Sequence, residues 1–167
     1  MQIPVNLIKE LRERTNAGVV ECRNVLLETG GDLDKASEIL RQRGLAKAEK
    51  RVERVASHGL IEAYVHLNGR LGALIEVNCE TDFVAHTDEF KTLAHDLVLQ
   101  VAATAPQFVS PEEIPEGANL DPAEVCLLTQ PYIKEQSKTV REIITETMSK
   151  VGEKISVKRF CQFEVGG

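Results

Sequence analysis

Apolar residues recur at helical spacing through residues 1–45 and then switch to a period of two. Val5, Ile8 and Leu11 follow Pro4, which suits a first helical position, and predict a short amphipathic helix stopping near Thr15-Asn16-Ala17-Gly18. Val19, Cys22 and Leu26 form a second stripe, with one of Val19 and Val20 expected to pack inward and the other to face out. Gly30-Gly31 breaks that stripe before Asp32, an N-cap residue opening a third helix that carries Leu33, Ala36, Ile39 and Leu40. Residues 1–45 thus form a small three-helix unit, and residues 46–57 read as a basic helical linker.

From Gly59 the pattern is that of strands. Ile61, Ala63, Val65 and Leu67 alternate with Leu60, Glu62, Tyr64 and His66. Asn68-Gly69 is a favoured two-residue hairpin turn, and Leu71, Ala73, Ile75 and Val77 alternate beyond it. The stretch Glu80-Thr81-Asp82-Phe83-Val84-Ala85-His86 fits neither period. Thr87 then caps a helix whose apolar face is Phe90, Leu93, Ala94, Leu97, Val98 and Val101, ending near Ala105 before Pro106. Residues 106–122 hold four of the six prolines and read as a loop, followed by a helical turn over 124–128. Ser137 is a cap for a helix carrying Val140, Ile143, Ile144 and Met148, which Gly152 ends. In the last strand Ile155, Val157, Cys161, Phe163 and Val165 share a face on which Arg159 is the misfit. The fold class is α+β: residues 58–167 form a β-β-α-α-β core, an antiparallel three-stranded sheet with helices on one face.

Composition narrows the function. Residues 1–57 carry 11 Lys/Arg against 9 Asp/Glu, and residues 58–167 carry 9 against 17, so the core is acidic and repels a phosphate backbone. The four cysteines and four histidines are scattered without metal-ligand spacing, so neither a metal nor a cofactor is expected. No run of 18 apolar residues exists and the start lacks a secretory pattern, which points to a cytoplasmic protein with no membrane contact. His86 lies near Asp82 and Glu80, but no nucleophile or substrate pocket converges on it, so no enzyme is read here.

The segment Leu7-Ile8-Lys9-Glu10-Leu11-Arg12-Glu13-Arg14-Thr15-Asn16-Ala17-Gly18 resembles the opening signature of the elongation factor Ts family. The run Leu74-Ile75-Glu76-Val77-Asn78-Cys79-Glu80-Thr81-Asp82-Phe83-Val84-Ala85 resembles its second signature. Blocks from Leu127 to Lys134 and from Arg159 to Glu164 extend the likeness over nearly the whole chain. Val19-Val20 stands where the family often carries two methionines, and Thr129 and Tyr132 where Glu and Phe are common.

The resemblance implies a ubiquitin-associated-like fold for the three helices and a guanine-nucleotide exchange factor acting on elongation factor Tu. It further implies that Thr81, Asp82, Phe83 and Val84 insert into that GTPase and disturb its magnesium site, while Leu11, Arg12, Val19 and Val20 supply an N-terminal contact. Long members of the family carry two related core halves, whereas this chain has length for one, so a homodimer is expected through the open edge of the sheet. In that arrangement Cys161 is a half-buried thiol or lies against its dimer mate. Read without the resemblance, Phe83 is a core aromatic beneath a loop. Two alternatives stand beside exchange: a protein-binding and oligomerisation module, and RNA binding through the basic run 41–54.

Overall fold

The computed structural model describes residues 3–167, so Met1 and Gln2, part of the start examined for a leader, lie outside it. Three helices open the chain: α1 (Val5–Thr15), α2 (Val19–Glu28) and α3 (Leu33–Glu49). Asn16, at φ 53°, ends α1, and the Asp32 carboxylate accepts the Asp34 and Lys35 amides to start α3. Leu11, Cys22, Val25, Leu26, Ala36 and Leu40 make their core. Pro4 is the N-cap of α1 rather than its first residue. Both Val19 and Val20 face out, which corrects the expectation of one in and one out; Val25 takes the inward place, three residues after Cys22.

α3 does not stop at residue 45. It continues along α7 (Val140–Val151), where Ala48 is sealed in the core of the second half and the Arg51 guanidinium donates to the Met148 carbonyl. Gly44 makes the approach feasible, since a Cβ there would stand 2.1 Å from the Ser149 hydroxyl.

The second half holds β1 (His58–Val65), β2 (Leu71–Cys79), the one-turn helix α4 (Asp82–Ala85), α5 (Asp88–Thr104), the short α6 (Pro122–Val125), β3 (Pro131–Tyr132), β4 (Glu135–Thr139), α7 and β5 (Ile155–Glu164). The sheet is antiparallel in the order β1-β2-β5. α5 lies on one face with Phe90, Leu93, Ala94, Leu97, Val98 and Val101 turned inward against Ala73, Ile75, Val77 and Cys79 of β2.

Four details depart from the sequence pattern. The hairpin has a longer connection, in which the Gly69 amide donates to the His66 carbonyl and only Gly69 has positive φ; Asn68 instead caps the Arg70 amide through its side chain. β1 presents Leu60, Glu62 and Tyr64 to the helices and Ile61, Ala63 and Val65 to solvent, so the wholly apolar set of the alternation is the one left outside. A bulge between Glu76 and Val77 of β2 leaves Lys158 unpaired, so Val157 and Phe160 both point inward while Arg159, Cys161 and Phe163 point out. That phase change accounts for Arg159, which pairs with Glu76 at 2.7 Å on the outer face.

The fourth departure is the β3–β4 hairpin, which takes Ser137 into a strand and leaves Thr139 to cap α7, with Glu142 closing a capping box. Polar groups buried on α5 hold the hairpin. Gln100 donates to the Gln130 side chain and the Pro131 carbonyl and accepts the Ile133 amide at 2.8 Å, while Asp96 accepts from the Tyr132 hydroxyl and the Lys134 ammonium.

Gln100→Ala is expected to leave these partners unpaired and to lower stability by about 2–3 kcal/mol, measured by urea unfolding, with faster amide exchange at Ile133. Burial also raises the Cys79 thiol from 9.0 to about 11, aided by the Glu153 carboxylate. The native state therefore keeps a proton that the unfolded chain loses. Stability from this thiol is intact below pH 9.0 and is expected to drain away as pH climbs to about 11, a limb that Cys79→Val should make shallower in alkaline unfolding curves, the remainder coming from the Cys22 and Cys126 thiols, which burial also raises.

Candidate functional site

The junction between β2 and α5 turns the chain sharply through two successive caps. The Thr81 hydroxyl accepts the Val84 amide at 3.3 Å and starts α4, and the Thr87 hydroxyl accepts the Phe90 amide at 3.3 Å and starts α5. The stretch expected as a loop is therefore a helical turn wedged between a strand and a long helix. Val84 and Ala85 are each 4% exposed and anchor the turn in the core.

Phe83, between the Asp82 and Val84 positions, is 81% exposed. The helical turn sends consecutive side chains in different directions, so burying Val84 and Ala85 drives Phe83 outward. The ring is thus a surface feature and not the core aromatic of the alternative reading. Asp82 is exposed beside it, and the His86 Nδ1–H donates to the Asp82 carbonyl at 2.7 Å, closing the turn from its far end. That contact gives His86 a structural role in the turn.

The base of the turn is held from a distant part of the chain. The Glu153 carboxylate accepts the Glu80 and Thr81 amides at 3.1 and 3.0 Å and the Thr81 hydroxyl at 2.6 Å. In return the Glu80 carboxylate accepts the Lys154 amide at 2.7 Å. The Cys79 thiol donates to the Thr81 carbonyl. Sequence reasoning missed Glu153, because nothing in local period or capping signals a contact 72 residues away.

The N-terminal candidates separate. Leu11 is fully buried in the three-helix core and holds the helices together, so it is not a surface that a partner touches. Arg12 is exposed near the end of α1, and Val19 and Val20 stand at 52% and 71% exposure on the first turn of α2.

The basic run 41–54 is largely spent within the chain. Arg41 pairs with Glu38, Arg43 with Glu28 at 2.9 Å, Lys47 with Glu21 at 2.8 Å and Arg54 with Glu80 at 3.5 Å, while Arg51 binds a carbonyl of α7. Cations already paired with carboxylates release fewer counterions on meeting phosphates, which weakens the case for RNA. Among the described residues no group of three His, Cys, Asp or Glu side chains is placed to hold a metal ion, and no helix is long and apolar enough to cross a membrane.

The outer face of the sheet is apolar and uncovered. Ile61, Val65, Leu74 and Phe163 are exposed there, with Cys161 half-buried between β2 and the open edge of β5.

Comparison with known proteins relates the sequence of this chain to a family. A family model described as Elongation factor TS matches residues 34–121, which span the end of the three-helix unit, the sheet hairpin, the Phe83 turn and α5. Elongation factor Ts of Carboxydothermus hydrogenoformans is 44% identical over 194 aligned positions, covering 98% of this chain and 89% of the relative. The protein of the same name from Coprothermobacter proteolyticus is 43% identical, covering 99% and 100%, and that from Heliobacterium modesticaldum is 46% identical, covering 96% and 88%. Agreement at this level along nearly the whole length, in a chain that presents Phe83 at the surface on a turn anchored by Val84, means that the chain belongs to the elongation factor Ts family.

Proposed function

We propose that the chain is a guanine-nucleotide exchange factor for elongation factor Tu in translation, acting in the cytoplasm by binding and not by bond chemistry. The observation that carries this reading is the exposure of Phe83 on a braced helical turn. A nucleotide held at nanomolar strength is bound by about 12 kcal/mol, so it leaves slowly unless a partner binds the empty state better. By linkage, the free energy that the partner loses when nucleotide binds equals the free energy by which it weakens the nucleotide. Phe83 supplies a group that gains only when the GTPase opens to receive it. Burying the ring contributes about 1.5–3 kcal/mol. Asp82 adds hydrogen bonds at the rim, Thr81 caps the turn, and Val84 anchors it from within. Displacing a ligand of the magnesium ion by a small distance then loosens the phosphates it clamps.

Arg12, Val19 and Val20 form the second contact, on a three-helix unit of ubiquitin-associated-like type. The units are drawn at 1–45, 46–57 and 58–167, although α3 crosses the first boundary and carries Ala48 into the core of the last unit. The chain works as a homodimer. The bare apolar face carrying Ile61, Val65, Leu74 and Phe163 supports pairing face to face in place of pairing through the sheet edge.

Release of a fluorescent GDP from elongation factor Tu is expected to accelerate when the protein is added, and an unchanged rate rejects exchange. Phe83→Ala should reduce that acceleration about tenfold or more with urea stability altered by less than about 0.5 kcal/mol. Val84→Ala is expected to do the opposite first, lowering stability by about 2 kcal/mol as a buried side chain is truncated. Sedimentation should give twice the 18.5 kDa chain mass, falling to one chain mass in Phe163→Asp; a native monomer at micromolar concentration sinks the dimer.

A further inference from the structure

The ladder between β2 and β5 ends at the pair Cys79 and Ile155, so the amides of Glu80 and Thr81 have no strand to bond. Glu153, in the turn between the left-handed Gly152 that ends α7 and the start of β5, fills that place with its side chain. One carboxylate oxygen takes both amides and the other takes the Thr81 hydroxyl. The Lys154 amide donates back to Glu80, so the two segments are laced in both directions.

The hydroxyl bond matters most for the exposed ring. A threonine hydroxyl has one hydrogen and two lone pairs. Giving the hydrogen to Glu153 turns the lone pairs of Thr81 toward the Val84 amide, which is the bond that starts α4. Glu153 therefore sets the rotor of the cap, the cap sets the helical turn, and the turn sets the direction of Phe83. We propose that Glu153 is a positioning residue for exchange: it orders the Phe83 turn before the partner arrives, so that binding free energy is not consumed in ordering it. This rests on the reading of Phe83 as the inserted group.

The test uses the full chain in four forms: parent, Glu153→Ala, Phe83→Ala and the double variant, with Glu153→Gln and Thr81→Val alongside. Two readouts are taken, amide hydrogen exchange over residues 80–84 in the free protein and stimulated GDP release from elongation factor Tu. Glu153→Ala is expected to speed exchange of the Glu80 and Thr81 amides about tenfold or more, since three charge-assisted bonds are lost. It should also slow stimulated GDP release about fivefold or more. Glu153→Gln should restore most of the amide protection, because its amide oxygen still accepts the two N–H groups, but not the release, because its NH2 group cannot accept the Thr81 hydroxyl hydrogen. With Phe83→Ala already in place, adding Glu153→Ala should cost nothing further in release.

Unchanged amide exchange in Glu153→Ala overturns the proposal, as does an equal additional loss of release in the Phe83→Ala background. Thr81→Val removes the hydroxyl with both its bonds, to Glu153 and to the Val84 amide, and leaves the two amide pairs in place; a loss of release that persists without Phe83 counts against the proposal there too. If Phe83→Ala by itself leaves release unaltered, the insertion reading has failed, and the amide exchange still decides whether Glu153 holds the turn.

Discussion

An aromatic ring kept in water gains nothing from the fold that carries it, so holding Phe83 at the surface requires everything around it to be fixed by other means. Val84 and Ala85 are buried on the inner side of the same turn, and the rigid elements before and after it leave the backbone no slack. The strand on one side is the central one of three, bonded on both edges, and the helix on the other side is packed along the sheet by six apolar side chains. The core of the second half thus reads as a mount.

Periodicity made the main elements legible because each long segment buries a single face. α3, β2, α5 and α7 follow their stripes closely, whereas Val5 and Val19 at the starts of α1 and α2 lie exposed, and the caps at Asp32 and Thr87 stand where residue chemistry puts them. β1 was legible as a strand but not in its facing, since Leu60 and Tyr64 on one side and Ile61 and Val65 on the other offer comparable apolar groups. The choice is made by the partner strand and α5, which no local pattern contains. The β3–β4 hairpin escaped for a related reason: its residues Glu135-Gln136-Ser137-Lys138-Thr139 are polar, and it is held by Asp96 and Gln100, which on a helix look like solvent positions. In the site, Phe83 was visible through its motif and the odd period around it. Glu153 was not, because its role is created only when β5 returns beside β2.

The bulge at Lys158 has a consequence beyond register. Without it, Arg159 would occupy the inner face and Phe160 the outer one, placing a cation under α5 and α7. With it, the outer face gains Cys161 and Phe163 at the cost of carrying Arg159, which is neutralised by Glu76 directly opposite. One inserted residue therefore makes both faces of the strand apolar, one for the helices and one left bare. A sheet built this way is suited to a second apolar layer, which is the physical ground for preferring face-to-face pairing over the addition of a strand at the edge.

The uneven charge along the chain follows from the same coupling of halves. The cations of residues 41–54 look like a solvated linker in sequence, yet those on α3 are spent on Glu21, Glu28 and Glu38 within the three-helix unit, and Arg51 and Arg54 just beyond the helix reach the Met148 carbonyl and Glu80 in the second half. Arg54 reaches the very carboxylate that binds the Lys154 amide beneath the Phe83 turn. α3 is accordingly a member of both cores, with Leu40 in one and Ala48 in the other. A partner that engages Val19 and Val20 on one unit and Phe83 on the other meets two contacts joined by a packed helix and not by a flexible tether, and the second contact then costs little additional freedom once the first is made.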